Sequence, residues 1–299
     1  MGITVSELLE QWYERTRYDF ATTTRQTTEG AMRVLVEDFG AVSVDALRPR
    51  HLDDWHTTRR AQGHSRSYSV RISGVLSAAC AWGIRRDLCE TNPVASARQK
   101  REKGRKVKTP TPEAVKAALA LAAKTDPALF CFVRIGAIIG ARRSEILGLT
   151  RADFDPDLRT LTIRRVVIPT AGGLAIEERT KSDAGARVVS IDEDTVTVIG
   201  KALAAHDSPW LFPGRDPTQP MHPRTITRKV GKLGEVLGVR IHPHALRHYC
   251  ATQSLGAGVP LPIVAAGLGD TVGTVTKVYA HALRSDDRGA ADALADTIR

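Results

Sequence analysis

The chain has 299 residues, 42% hydrophobic and 25% charged, with a formal net charge of +10 at pH 7. This length suits two domains with ordinary hydrophobic cores, and the composition excludes wholesale disorder. The basic excess favours a polyanionic partner, and without an apolar run of about 18 residues no membrane-spanning helix is predicted. The four cysteines are widely spaced, which predicts reduced thiols and no zinc site.

Residues 4–95 have a helical pattern throughout. A capping-box pattern at Thr4–Glu7 predicts the start of the first helix, and a second helical pattern covers about 23–39. A third helix is predicted after Pro49, and a fourth is predicted to end at Thr91-Asn92-Pro93. The sequence therefore predicts a four-helix domain over residues 1–97.

A strongly basic segment follows at residues 98–108. It contains seven basic residues and one acidic residue, a net charge of +6, and almost no apolar residues. This composition predicts an extended linker that runs along phosphate groups, although a solvated tether has the same composition. The side chains predicted to bind nucleic acid are Lys100, Arg101, Lys103, Arg105, Lys106 and Lys108.

The remaining residues, 109–299, predict a second domain of mixed structure, because the apolar period changes within it. The expected elements are helices at about 112–123 and 127–139, a short helix around 146–149, strands at 161–168, 175–181 and 186–191, and helices again from 192 onward. The turn residues at 182–185 predict that the last two strands form a hairpin. The predicted fold class is mainly α with a small antiparallel β-sheet.

Five polar side chains in four separate motifs fit one chemistry: Arg142, Lys181, His244, Arg247 and Tyr279. Cleaving a phosphodiester without a metal ion requires stabilisation of the charged transition state, a proton for the leaving oxygen and a nucleophile. The planar, permanently charged guanidiniums of Arg142 and Arg247 fit the first role. Lys181, helped by His244, fits the second, and Tyr279 fits the third.

Each motif taken alone also fits a structural role. Arg142 can pair with Glu145 on a helix surface, Lys181 can simply end a strand, His244 can cap its helix, and Tyr279 can be a core residue. The sequence has no Gly-x-Ser-x-Gly motif, no P-loop and no carboxylate cluster for catalytic metal ions. We therefore expect no cofactor, no bound metal and no use of ATP.

Together, the motifs resemble those of the tyrosine recombinase or phage integrase family. The matching segments are Ile139–Glu145 around the first arginine, Thr180-Lys181-Ser182, His244-x-x-Arg247-His248, and Leu268-Gly269 followed by Tyr279. The resemblance covers nearly the whole chain. It implies a core-type DNA-binding domain at 1–97 and an α+β catalytic domain at 109–299, with no additional arm-binding domain.

The resemblance implies a site-specific DNA recombinase. Tyr279 would cut DNA through a 3′-phosphotyrosine intermediate and so integrate or excise a mobile element, such as a viral genome. The implied partners are double-stranded DNA attachment sites, three further copies in a homotetramer on DNA, and an accessory or directionality protein, in the cytoplasm or nucleoid of a bacterial host rather than at a membrane. The alternatives are a DNA-binding relative without strand exchange and a Xer-like resolvase.

One position departs from the family's pattern. The family usually has His or Trp after the Leu-Gly pair, where this chain has Asp270. An imidazole or indole N–H donates to the phosphate, whereas an ionised carboxylate cannot donate and repels it. Three alternatives follow: Asp270 is protonated, it turns away to orient Arg142 or His244, or it marks lowered activity. His248 or His281 is a candidate to replace the missing donor.

Overall fold

The computed structural model describes residues 2–97, 109–178 and 186–283. The chain divides into two compact units, residues 1–105 and 106–299. The division falls inside the basic segment that the sequence predicts as a linker. All seven basic residues of that segment lie outside the described residues, among them the six predicted DNA contacts: Lys100, Arg101, Lys103, Arg105, Lys106 and Lys108.

The described part of the N-terminal unit is helical, as predicted. It contains α1 (Val5–Thr16), α2 (Thr22–Phe39), α3 (Pro49–Ala61), α4 (Arg66–Ile84) and the short α5 (Pro93–Ser96), with 3-10 turns at Arg17–Asp19 and Val44–Ala46. Thr4 and Glu7 form the predicted capping box at the start of α1. Each long helix contributes a leucine to one core, namely Leu8, Leu35, Leu52 and Leu76.

The fourth helix ends earlier than the sequence predicts. α4 stops at Ile84, and Asp87 then adopts the left-handed conformation at φ 57°. Asn92 begins a separate helix, because its side-chain oxygen accepts the backbone N–H groups of Val94 and Ala95 at 3.2 and 3.3 Å. Pro93 suits the first position of α5 because its missing N–H would be unpaired there in any case.

The C-terminal unit combines helices with short strands. Its described helices are α6 (Pro112–Thr125), α7 (Pro127–Ile139), α8 (Arg143–Ile146), α9 (Glu193–Ala204), α10 (Pro223–Val236), α11 (Pro243–Gly256), α12 (Leu261–Leu268) and α13 (Val272–Leu283), with a 3-10 turn at Arg151–Asp153. A large hydrophobic core surrounds Phe132 on α7, and a smaller cluster joins α11, α12 and α13. Residues 205–222 are irregular where the sequence predicts helix, because four prolines interrupt them.

In the described part of the chain, the strands form two small antiparallel sheets rather than one. The strands are β1 (Phe154–Asp155), β2 (Thr160–Ile163), β3 (Arg165–Thr170), β4 (Gly173–Glu178) and β5 (Arg187–Ser190). The strand predicted at 161–168 is divided at Arg164. Arg164 and Arg165 lie 2.7 and 2.5 Å from the buried carboxylate of Asp153. Adjacent residues of a regular strand point to opposite faces, so this shared contact requires a break.

The pairing of the strands also differs from the prediction. β2 lies between β1 and β5, while β3 pairs with β4 from Arg165↔Glu178 to Thr170↔Gly173. The strands predicted as a hairpin, β4 and β5, therefore belong to different sheets. The turn at 182–185 and Lys181 lie outside the described residues. Across the described ranges, no helix has the length and apolar character needed to cross a membrane.

Candidate active site

Arg142 lies at the junction of α7 and α8. Gly140 ends α7 in the left-handed conformation, at φ 61°. A Cβ at Gly140 would stand 2.6 Å from Leu268, so the tight junction requires glycine. Arg142 then begins α8: its backbone N–H and its Nη1 donate to the two oxygens of Glu145, at 2.8 and 2.9 Å.

Glu145 is buried, so the ion pair that the sequence allowed on a helix surface is an internal one. Arg187 on β5 also contacts Glu145, at 3.1 Å, and its Nε donates to the Gly267 carbonyl at 2.7 Å. Burial alone would raise the pKa of Glu145, but the charges and hydrogen bonds of Arg187 and Arg142 hold that pKa below its usual value. Arg187 and Glu145 thus fix Arg142, although no role for Arg187 was predicted from the sequence.

Arg247 is the second predicted arginine, and it is only 3% exposed. Its Nη1 donates to the carbonyl oxygens of Gly140 and Leu268, at 2.7 and 2.8 Å. Its Nη2 donates to Oδ2 of Asp270. The backbone around the helix ends therefore holds this guanidinium in a single orientation.

Asp270 bridges the two arginines. Its Oδ1 accepts from Nη2 of Arg142, which also donates to the Gly269 carbonyl at 3.1 Å, and its Oδ2 accepts from Arg247. Of the alternatives that the sequence left open, this geometry corresponds to the one in which Asp270 orients Arg142. Arg247 is oriented by the same carboxylate, a contact that was not predicted from the sequence.

A cavity of about 470 Å³ opens beside the arginines. Its lining residues are Ala141, Arg142, Arg143, Ser144, Thr227, His242, Pro243, His244 and Arg247. Among the described residues, this lining contains three arginines and two histidines and no acidic side chain, so its charge is positive. Arg143 is held in place by a hydrogen bond from its Nη1 to the Thr227 hydroxyl, at 2.7 Å. Such a lining favours an anionic ligand.

His244 is exposed at this cavity, and another residue caps its helix. The cap of α11 is His242, whose Nδ1 accepts the backbone N–H of Ala245 at 3.1 Å. The His244 ring is therefore free of that structural role. Partial desolvation, and then the charge of Arg247, lower the pKa of His244, so neutral imidazole predominates at pH 7.

Tyr279 lies on α13 and is not among the residues that line the cavity. It is 4% exposed and belongs to the cluster of α11, α12 and α13, so the core role that the sequence allowed is also present. Its hydroxyl lies 2.6 Å from Nδ1 of His248. The His248 ring in turn packs against the His244 ring in a T-shaped arrangement, with the ring centroids 4.4 Å apart. Two histidine rings thus connect the tyrosine to the cavity.

The structure brings most of the predicted site together. Arg142, His244 and Arg247 line one cavity, and Tyr279 lies behind it. Lys181 and the side chain of His281 lie outside the described residues. Within the described ranges, no group of three His, Cys, Asp or Glu side chains is placed to hold a metal ion.

Comparison with known proteins identifies the family. The family model of the phage integrase family matches residues 109–285, more than half of the chain. Tyrosine recombinase XerA of Pyrococcus furiosus is 29% identical over 144 residues, which are 47% of this chain and 45% of that protein. Tyrosine recombinase XerC of Agrobacterium fabrum is 34% identical over 142 residues, 47% of this chain and 41% of that protein. The alignments thus span less than half of these relatives.

Solved structures show the same fold. The Tn1549 transposon integrase in complex with a circular intermediate DNA has a TM-score of 0.84 at 21% identity, covering 98% of this chain and 100% of that chain. A lambda integrase dimer bound to a COC′ core site has a TM-score of 0.72 at 13% identity, covering 93% and 77%. With its motifs, its fold and the match over residues 109–285, this chain belongs to the phage integrase family.

Proposed function

We propose that this protein is a site-specific DNA recombinase that integrates or excises a mobile element. The observation that carries the proposal is the positive cavity lined by Arg142, His244 and Arg247, with the Tyr279 hydroxyl joined to it through His248. Family membership supports the reaction type. Double-stranded DNA is the proposed partner, and the DNA complexes of the Tn1549 and lambda integrases support it.

Arg142 and Arg247 are proposed to bind the scissile phosphate. Their guanidiniums already converge on the two oxygens of one carboxylate, an arrangement that also suits two non-bridging phosphate oxygens. Fixed donors of this kind stabilise the charge that develops as the phosphate becomes five-coordinate. His244, neutral at pH 7 and exposed at the cavity, is placed to exchange a proton or donate a hydrogen bond there.

Tyr279 is the proposed nucleophile. The Oη–H proton passes to a neighbouring base as a bond forms between Oη and phosphorus. The bond from phosphorus to the 5′-oxygen breaks, and that oxygen takes up a proton, proposed to come from Lys181. The products are a 3′-phosphotyrosine and a free 5′-hydroxyl. This hydroxyl then attacks the phosphotyrosine of a partner strand, which releases the tyrosine and rejoins the DNA. One phosphoester replaces another of similar energy, so the exchange needs no ATP.

The proposed assembly is a homotetramer on paired DNA sites, with an accessory protein that controls direction. Residues 1–97 are proposed as the core-type DNA-binding domain and residues 109–299 as the catalytic domain. The basic segment 98–108 would follow the phosphate backbone between them. Neutralised phosphates release counterions, so the affinity for DNA should fall steeply with salt.

A second candidate function is DNA binding without strand exchange. The observation that favours it is the Asp270 carboxylate, which occupies donors of both arginines. A Xer-like resolvase is a variant of the main proposal, and the matches to XerA and XerC favour it.

The test uses a nicked duplex that carries the junction sequence of the element encoding this protein. After cleavage the short nicked fragment diffuses away, so a covalent protein–DNA adduct accumulates and is resolved on a denaturing gel. We expect an adduct that persists in EDTA and is lost in Tyr279→Phe. Tight, salt-sensitive binding without any adduct would instead establish the non-catalytic alternative.

A further inference from the structure

His248 directly follows Arg247 in the chain, and the proposed cleavage reaction assigns it no role. It lies on α11 one helical turn after His244 and is 6% exposed. Its Nδ1 is 2.6 Å from Oη of Tyr279, the atom proposed to attack phosphorus. This distance is that of a direct hydrogen bond, and it meets the geometric requirement for a proton acceptor.

The surroundings of His248 keep its ring neutral. Burial, followed by the positive or ionisable neighbours His244, His242 and Arg247, lowers the pKa of His248 to about 4. A neutral imidazole has one ring nitrogen with a free lone pair. A phenol is a stronger donor than acceptor, so the contact is best satisfied when the Tyr279 hydroxyl donates to an unprotonated Nδ1.

Tyr279 needs such an acceptor. Burial raises the pKa of Tyr279 to about 12, against the lowering effect of Arg247 and together with the raising effects of Asp270 and Cys250. A phenol with this pKa is almost entirely protonated at pH 7 and is a poor nucleophile until its proton is removed. Both groups are enclosed in the protein, so solvent water is poorly placed to remove it.

We propose that His248 is the general base that takes the phenol proton as Tyr279 attacks the scissile phosphate, a role that rests on the proposed recombinase function. The Oη–H bond breaks and its proton moves to Nδ1, while the electron pair of Oη forms the bond to phosphorus. The 5′-oxygen leaves with a proton from another group. In rejoining, His248 returns its proton to the departing phenolate.

DNA binding makes His248 a better base. The Arg247 guanidinium is one of the charges that disfavour a protonated His248. Asp270 already pairs with Arg247, and a phosphate bound beside them adds further negative charge near His248, so the pKa of His248 should rise when substrate is present. A base whose pKa moves toward the working pH transfers protons more effectively. The free protein and the DNA complex therefore differ in the reactivity of Tyr279.

The first test replaces His248 by Asn, because the Asn carbonyl can occupy the place of Nδ1 and accept the phenol hydrogen bond without being able to take the proton. We expect His248→Asn to form the covalent adduct about 100-fold more slowly than wild type, with unchanged affinity for DNA. Rejoining should slow by a similar factor. His248→Gln provides the same comparison if the Asn variant fails to fold, and His206→Gln is the matched control expected to react at the wild-type rate.

The pH dependence separates a base from a merely structural residue. In His248→Asn only hydroxide can remove the phenol proton, so its cleavage rate should rise about tenfold per pH unit below the pKa of Tyr279. The ratio of the wild-type cleavage rate to that of His248→Asn should therefore shrink as the pH rises from 7 to 9. A ratio that is constant with pH would show that His248 only positions Tyr279, and would overturn the proposal.

A second substrate separates the base from the acid. A 5′-bridging sulfur leaves as a thiolate and needs no proton, so it relieves the loss of an acid but not the loss of a base. His248→Asn should stay slow on this substrate, whereas Lys181→Ala should recover. Recovery of His248→Asn would overturn the proposal, as would a wild-type rate on the ordinary substrate. If wild type itself forms no adduct, the recombinase function and the role of His248 fail together.

Discussion

Arg247 and Asp270 form an ion pair between Nη2 and Oδ2 in which the guanidinium is only 3% exposed. The other oxygen of the same carboxylate contacts Arg142. The Asp270 carboxylate thus occupies the position at which two phosphate oxygens are proposed to bind Arg142 and Arg247. Asp270 orients both guanidiniums in the free protein, but it would also compete with the proposed DNA substrate for them.

Asp270→His removes this competing charge and supplies a ring N–H donor. We expect the variant to form the covalent adduct about tenfold faster than wild type, because one more fixed donor then stabilises the developing charge. The measurement is a single-turnover rate on the nicked duplex. Asp192→Asn, which alters another arginine–aspartate pair, is the control. A rate no higher than that of wild type would contradict the prediction, and a lower rate would show that the carboxylate is needed as it stands.

Glu145→Gln leaves Arg142 and Arg187 without their shared charge. The side chain of Glu145 is 0% exposed, so we expect a loss of about 3 kcal/mol in the free energy of unfolding. Asp194→Asn is the control, because its carboxylate is 84% exposed and its pair with Arg134 should contribute less than about 0.5 kcal/mol. Chemical denaturation at pH 7 measures both values, and equal stabilities would contradict the prediction.

The same pair of proteins tests the pH dependence. The pKa of Glu145 is lower in the folded protein than in the unfolded chain. Its contribution is therefore fully present above its unfolded pKa of about 4.3 and is lost as the pH falls through the folded value. The stability difference between wild type and Glu145→Gln should shrink only below about pH 4. A difference that shrinks between pH 7 and 5 would show that the pKa is raised instead.

Gly140→Ala places a methyl group against Leu268 in a left-handed backbone conformation. We expect a loss of about 2 kcal/mol in stability, since strain and overlap add. Cleavage should also slow, because the carbonyl of residue 140 accepts a hydrogen bond from Arg247 and Arg142 follows two residues later. Gly200→Ala in α9 is the control: no atom lies within 4 Å of the added Cβ, so a small stabilisation is expected.

Neutralising the basic segment should weaken DNA binding without abolishing chemistry. Each phosphate contact that is lost reduces the slope of log affinity against log salt by about 0.9. The test changes all six predicted contacts to Gln: Lys100, Arg101, Lys103, Arg105, Lys106 and Lys108. A variant with the wild-type salt slope would show that this segment is a solvated tether.

Local patterns in the sequence predicted much of the fold. The capping residue Thr4 marks the start of α1, and the apolar period locates the long helices. Asn92 was instead predicted to end a helix, whereas it begins α5. The division of the sheet was not predictable, because it depends on two arginines that share Asp153, a contact outside the strand pattern.

The site likewise contains residues that could be predicted from the sequence and residues that could not. Arg142, His244, Arg247 and Tyr279 are recognisable because each carries a chemistry that the proposed reaction needs. Arg187 and His248 gain their importance from burial and from partners far along the chain. His248 contacts a hydroxyl 31 residues later, and Arg187 contacts a carboxylate 42 residues earlier. No local pattern reports such contacts.

The location of Tyr279 inside the cluster of α11, α12 and α13 has a consequence for how the protein would meet its proposed DNA substrate. Exposing an aromatic ring of this size costs about 2 kcal/mol, so an exposed nucleophile would be about 30-fold rarer than the buried form. Random encounters with chromosomal DNA would then mostly end before any strand is broken. We expect only sites that hold the protein long enough, or that repack α13, to be cut.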